Sequence, residues 1–256
     1  MNSQLQSKVE KIIGEIRQLI KPDEQGCTSE VRQIITDNGT YILKSSYKNK
    51  YREWLKAEAI ILEKLNNQSQ IPVPKYYGFI EENESSHLIM SFVHGMTLTI
   101  ALKQAKNIEE KKLLIKSFGH FLHKLHETPI IETLNLTNNW LDDQLIKAER
   151  YAKSGQADGS PKLLEKLKST KPLPVQQTII HGDCTTDNVL VVDGEVQFLI
   201  DVAGMTVGDP RYDESLAIGR LIHRDEYIAA FYEGYTRYKV SKEEYQYFDQ
   251  GLYEFF

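Results

Sequence analysis

Apolar residues recur first at helical spacing and then at strand spacing. Leu5, Val9, Ile12, Ile13, Ile16, Leu19 and Ile20 share one face of a helix predicted over residues 5–20. Lys21-Pro22-Asp23 ends it. The pattern then predicts strands over 31–36 and 41–44 around Asp37-Asn38-Gly39-Thr40, a hairpin turn signal. A helix over 51–65 carries Ala57, Ile60, Ile61 and Leu65 on its apolar side. Pro72 and Pro74 hold 71–75 extended. A second hairpin joins 76–80 to 87–91 around Glu82-Asn83-Glu84. From Leu98 onward helical spacing dominates, over 108–127, 139–151 and 162–168, from Asp213 to about 223, over 225–238 and from Ser241. Ser241-Lys242-Glu243-Glu244 is a capping box. One cluster of short apolar runs interrupts the helices. Ile179-Ile180, Val189 to Val192 and Val196 to Ile200 read as strands, the last two joined by the turn Asp193-Gly194.

Composition narrows the classes. The chain has 256 residues, 41% hydrophobic and 26% charged, enough for one large domain or two lobes sharing a cleft. A formal net charge of -5 argues against a nucleic-acid partner and suits a cationic small molecule. The two cysteines, Cys27 and Cys184, form no metal-type pair, and a disulfide framework is not expected. A reducing cytoplasm is the simplest home. Residues 1–10 lack the apolar core of a signal peptide, and no apolar run approaches a membrane span, so no membrane partner is expected. His123 and His126, three apart, read as packing or capping residues rather than a metal pair.

The chemistry concentrates between Thr178 and Asp201. His181-Gly182-Asp183 follows one apolar run, Asn188 precedes the next, and Asp201 ends the third. These oxygen-bearing side chains at strand ends can hold Mg²⁺, which keeps phosphate oxygens and waters as its other ligands. Asp183 and Asn188 are five apart, as in the kinase catalytic loop H-R-D-x-x-x-x-N, and Asp201 stands where the D-F-G aspartate would. Gly182 replaces the arginine, and Val202-Ala203 replaces Phe-Gly. With Gly208-Asp209-Pro210-Arg211-Tyr212-Asp213, the segment resembles the aminoglycoside phosphotransferase family, relatives of choline kinases and protein kinases.

The resemblance implies an α+β, bilobal protein-kinase-like fold. Residues 1–94 would form a small antiparallel-sheet lobe, with a hinge at about 91–95, and residues 95–256 a mostly helical lobe. It implies an ATP-dependent phosphotransferase, with GTP as the alternative nucleotide, acting on a substrate hydroxyl. Asp183 would take or orient the hydroxyl proton, and Asn188 and Asp201 would hold Mg²⁺. Lys44 would bind the α- and β-phosphates, held by Glu58. Backbone N–H groups of the loop 25–30, with the Thr28 and Ser29 hydroxyls, would cap the phosphates. The backbone at Ser91 and Val93 would meet the adenine edge, and Met90 would back that pocket. His181 would fix the loop, and Asp213 and Asp209 would brace it through backbone N–H groups. For the acceptor, Asp187, Asp225, Glu226 and Glu254 could supply acid, and the resemblance implies that the terminal carboxylate at Phe256 faces it beside Glu254. An aminoglycoside is the expected acceptor. Macrolides, choline, sugars and amino-acid alcohols are alternatives on the same scaffold, and a non-catalytic nucleotide-binding module is the rival class. A monomer is expected, with a dimer as the alternative.

Overall fold

The computed structural model describes the chain except residues 23–24, 67–69 and 135–138. Asp23, expected at the end of the first helix, lies outside the described residues. By its internal contacts the chain divides into two units, Met1–His94 with Leu199–Gly204, and Gly95–Phe198 with Met205–Phe256. The segment 199–204 thus groups with the first unit, whereas the expected division left it with the helical lobe.

In the first unit, the helix expected over 5–20 is two elements. Asn2 accepts the Leu5 N–H at 2.7 Å and starts α1 (Ser3–Ile13). Gly14, at φ +92°, ends it, and a Cβ there would lie 2.6 Å from Asn38 Nδ2. The remaining residues form β1 (Ile16–Ile20), paired with β2 (Glu30–Thr36). Leu19, placed on the apolar face by helical counting, is 39% exposed in that strand. β3 (Gly39–Ser46), α2 (Asn49–Leu65), β4 (Tyr76–Glu81) and β5 (Ser86–Ser91) complete the unit. The antiparallel sheet runs β1-β2-β3-β5-β4. Tyr41 and Leu43 join the apolar cluster formed with Leu5, Val9 and Ile13 of α1. Strand alternation therefore turns Lys44 to the opposite face, where α2 buries Leu55, Glu58, Ala59 and Leu62.

The second unit contains β6 (Met96–Thr97), α3 (Leu98–Gln104), α4 (Ile108–Glu127), α5 (Trp140–Lys153), α6 (Pro161–Ser169), β7 (Thr178–Ile180), β8 (Val189–Val192), β9 (Glu195–Leu199), β10 (Thr206–Gly208), α7 (Pro210–Gly219), α8 (Asp225–Gly234) and α9 (Lys242–Phe248). Two small sheets, β6-β8-β9 and β7-β10, support the central loop. Asp193 and Gly194 both take positive φ, 50° and 83°, as a two-residue hairpin turn requires. The Ser241–Glu244 capping box forms as read from the sequence. His126 Nδ1 lies 2.9 Å from the Tyr235 hydroxyl, a packing role.

Helices α4 and α8 cross on glycines. A Cβ on Gly119 would lie 2.1 Å from the Phe231 carbonyl, and one on Gly234 would lie 2.1 Å from the Lys116 carbonyl. Backbone cannot yield as a flexible side chain does. Gly119→Ala should therefore destabilise the protein by about 3 kcal/mol or fail to fold, although alanine favours isolated helices. A denaturant midpoint at or above wild type would contradict this crossing.

Glu214 of α7 is fully buried. Its Oε1 accepts the Tyr232 hydroxyl at 2.8 Å and the Val240 N–H at 2.7 Å, while Oε2 has no hydrogen-bond partner among the described residues. Burial raises its pKa to about 7, against the lowering pull of those two donors. A carboxyl raised on folding is held protonated by the native state. Stability should therefore fall as pH rises from about 4.5 to about 7, by roughly 2–3 kcal/mol. Glu214→Gln keeps an oxygen for both donors and should flatten that slope. Unfolding curves taken through this pH range would show a persistent slope if Glu214 is not its source.

Candidate active site

The first unit presents a locked lysine. Lys44 Nζ lies 2.7 Å from Glu58 Oε2 and 2.8 Å from Asp201 Oδ1. Burial alone would pull the Lys44 pKa down, but the two carboxylates overcome it and hold the ammonium above its ordinary value. Asp201 has φ +59°, unusual for a residue with a side chain. It precedes a short 3-10 turn, Val202–Gly204, which packs on α2. Sequence reading thus found the partner of Lys44 and missed that Asp201 shares it.

The loop 25–30 is tied to its neighbouring strand. The Ser29 hydroxyl is buried and lies 2.6 Å from Ser46 Oγ, and the Thr28 carbonyl accepts from Ser46 at 3.3 Å. The Ser29 side chain therefore anchors this loop to β3. Cys27 on this loop is exposed. At the end of β5, Met90 is buried. The Ser91 N–H donates to the Lys75 carbonyl at 2.9 Å, and the Ser91 hydroxyl accepts the Lys75 N–H at 2.9 Å. Val93 is half-buried beyond the strand.

The second unit presents a braced loop. Asp213, fully buried, accepts the His181 N–H at 2.6 Å on one oxygen and the Gly182 N–H at 2.8 Å on the other. Gly182 has φ +82°, a left-handed conformation that a larger residue resists. The Asp183 N–H donates to His181 Nδ1 at 3.1 Å. Asn188 Nδ2 donates to the Asp183 carbonyl and to its Oδ2, each at 2.8 Å. The amide nitrogen being committed to the loop, Oδ1 is the atom Asn188 can offer a cation. Asp209 does not brace the loop as expected. It caps α7 and pairs with Arg211 at 2.6 Å, and Arg211 reaches Glu244 at 2.7 Å. Cys184 is buried, and burial with Asp213 and Asp183 nearby pushes its thiol pKa up.

The sequence pointed away from one contact altogether. The Tyr253 hydroxyl donates to Asp183 Oδ1 at 2.8 Å. Glu254, the expected acid, is exposed at the next position, and its carbonyl accepts the Gly159 N–H at 2.8 Å. The Phe256 ring packs edge-on against Tyr151 at 5.9 Å. Asp187 is paired with Arg220 at 2.5 Å, and Glu226 lies 3.6 Å from Arg224. Asp225 and Glu226 open α8 and are exposed. The structure therefore does not gather Asp187, Asp225, Glu226 and Glu254 into an unneutralised acidic cluster. Arg220 instead lines a cavity of about 350 Å³ with Lys103, Lys111, Thr99, Thr186 and Tyr227, alongside the catalytic-type loop.

Asp201 and Asn188 offer hard oxygen atoms, the donor type Mg²⁺ prefers. Among the described residues no group of three or more His, Cys, Asp or Glu could cage a metal unaided.

One unit thus carries a strand lysine fixed by a helix carboxylate, and the other a braced loop presenting aspartate and asparagine five residues apart, the spacing of a kinase catalytic loop. The model of the APH phosphotransferase enzyme family matches residues 19–248, and the chain belongs to that family. An aminoglycoside 3'-phosphotransferase of Escherichia coli is 23% identical over 56% of this chain and 55% of its own length. One of Streptomyces fradiae is 27% identical over 79% of this chain and 80% of its own. The chain thus spans little more than half the length of the first relative. The fold matches a solved aminoglycoside 3'-phosphotransferase of type VIII with TM-score 0.76, at 23% identity over 93% of both chains. It also matches a spectinomycin phosphotransferase solved with ADP and spectinomycin, with TM-score 0.63 at 18% identity, over 97% of this chain and 83% of that one. Among the described residues no helix is long and apolar enough to cross a membrane.

Proposed function

We propose that the protein transfers the γ-phosphoryl group of ATP to a hydroxyl of a small molecule, with an aminoglycoside as acceptor. The observation that carries this reading is the Asp183 carboxylate held by Asn188 in a loop that Asp213 fixes. Asp183 accepts the hydroxyl proton as the oxygen attacks phosphorus. A carboxylate suffices, because phosphoryl transfer depends mainly on positioning and charge stabilisation. Lys44 neutralises the α- and β-phosphates, and Glu58 keeps it aimed. The adenine meets the backbone around Ser91 and Val93, with Met90 behind it. Asn188 and Asp201 would hold Mg²⁺, which would neutralise phosphate charge. On the acceptor side, Glu254 and Asp225 are the exposed acids of the expected set that form no ion pair among the described residues.

The Arg220–Asp187 pair and the flanking Lys103 and Lys111 favour a second reading, a neutral acceptor such as a macrolide or sugar. One assay separates the two. ATP turnover is measured with aminoglycosides, macrolides and small alcohols. For a polycation, the acceptor KM should rise several-fold as salt shortens the Debye length from about 10 Å to about 3 Å. Glu254→Gln should then raise the acceptor KM more than the ATP KM. An acceptor KM indifferent to both changes selects the neutral substrate, and no turnover with any acceptor removes the kinase reading.

A further inference from the structure

We propose that Tyr253 is a positioning residue for transfer, and that its hydroxyl fixes the rotation of the Asp183 carboxylate. The inference rests on the function proposed above, and it concerns a residue from the far end of the sequence. Asp183 receives a donor on each oxygen, Asn188 Nδ2 on Oδ2 and the Tyr253 hydroxyl on Oδ1, both at 2.8 Å. A carboxylate free about its terminal torsion samples a broad range of angles. Two donors from different elements leave one orientation. Each carboxylate oxygen has two lone-pair directions, so capacity remains for an acceptor proton.

The support for the phenol is itself rigid. Tyr253 belongs to a 3-10 turn, Leu252–Phe255, anchored by fully buried Leu252 and Phe255. Its ring stands 6.4 Å from that of Tyr212, which packs on Trp140 and Phe248. Gly159 donates to the carbonyl of Glu254, tying the turn to the start of α6. Burial, with the Asp183 charge nearby, raises the Tyr253 pKa, so the phenol remains a donor across the working range. Tyrosine at this place gives the base a fixed donor where the sequence suggested only an acid-rich end to the acceptor site.

The test is Tyr253→Phe, alone and combined with Asp183→Ala. Phenylalanine keeps the ring against Tyr212 and removes the hydroxyl. Loss of one hydrogen bond to a charged group predicts a fall in kcat of roughly 10- to 100-fold. The nucleotide and acceptor KM values should stay at wild type, with the melting temperature unchanged. Because Tyr253 acts through Asp183, adding Tyr253→Phe to Asp183→Ala should cause no further loss. Additive losses, a KM effect dominating the kcat effect, or a fall in melting temperature matching the loss of activity would each overturn the proposal. The contact is also read without turnover. The hydroxyl proton of Tyr253, assigned with Tyr253→Phe in tyrosine-labelled protein, should exchange slowly and lose that protection in Asp183→Ala. Rapid exchange in the wild type overturns the proposal. Protected exchange in a protein that phosphorylates nothing would retire the proposed function while leaving the contact intact.

Discussion

Asp183→Ala should lower kcat by about 10³-fold and leave ATP affinity essentially unchanged. The carboxylate is where the loop converges. His181 receives the Asp183 N–H, Asn188 donates to its side chain, and Asp213 holds the two residues before it. None of these contacts belongs to the strands and helix that carry Lys44, so the loss should appear in chemistry rather than in nucleotide capture. Fold stability should change little, because Asp183 is half-buried and water can reach the site of the deletion. Stopped-turnover kinetics paired with nucleotide titration make the measurement. Near-wild-type turnover would remove Asp183 from the mechanism. A parallel collapse in ATP affinity would place it on the nucleotide instead.

Lys44→Met should abolish activity and also destabilise the fold by about 3–5 kcal/mol, because it leaves the Glu58 carboxylate buried without the ammonium it faces. Glu58 is 1% exposed, while the Asp201 side chain retains contact with solvent. The cost therefore falls mainly on Glu58. A drop in melting temperature of roughly 10 °C corresponds to that range. The double variant Lys44→Met/Glu58→Leu removes both charges and should recover most of the stability but none of the activity. Recovery of both would mean that the pair serves folding alone. A Lys44→Met protein as stable as wild type would mean that Glu58 finds another counter-charge.

Local patterns made much of this legible in the sequence. The strand read at 41–44, the helix read at 51–65 and the helix at 108–127 fall within β3, α2 and α4 and declare themselves because each buries one face at a fixed period. The turn Asp193-Gly194 and the capping box at Ser241 are readable because few residues satisfy their backbone geometry. The spacing of Asp183, Asn188 and Asp201 is likewise a local property, since it follows from one hairpin. Periodicity failed at residues 14–20. Apolar residues there match a helix by count, but Gly14 and pairing with β2 decide for a strand.

What the sequence could not decide was who meets whom at long range. Asp209 and Asp213 are four apart in one motif, yet one caps α7 and pairs with Arg211 while the other braces the catalytic-type loop. The acids expected to greet a cation include Asp187, which sits on Arg220, thirty-odd residues away and invisible to spacing. Tyr253 reaches Asp183 across 70 positions, with Glu254 beside it as the more tempting residue on charge alone. Hydrophobic period and turn chemistry act over a few residues, so the sequence by itself determined the elements and the order of the reactive groups. Packing of buried aromatic rings and pairing of buried charges depend on distances that only the folded chain sets. Those contacts decided which carboxylates are neutralised, which one is held ready, and by what.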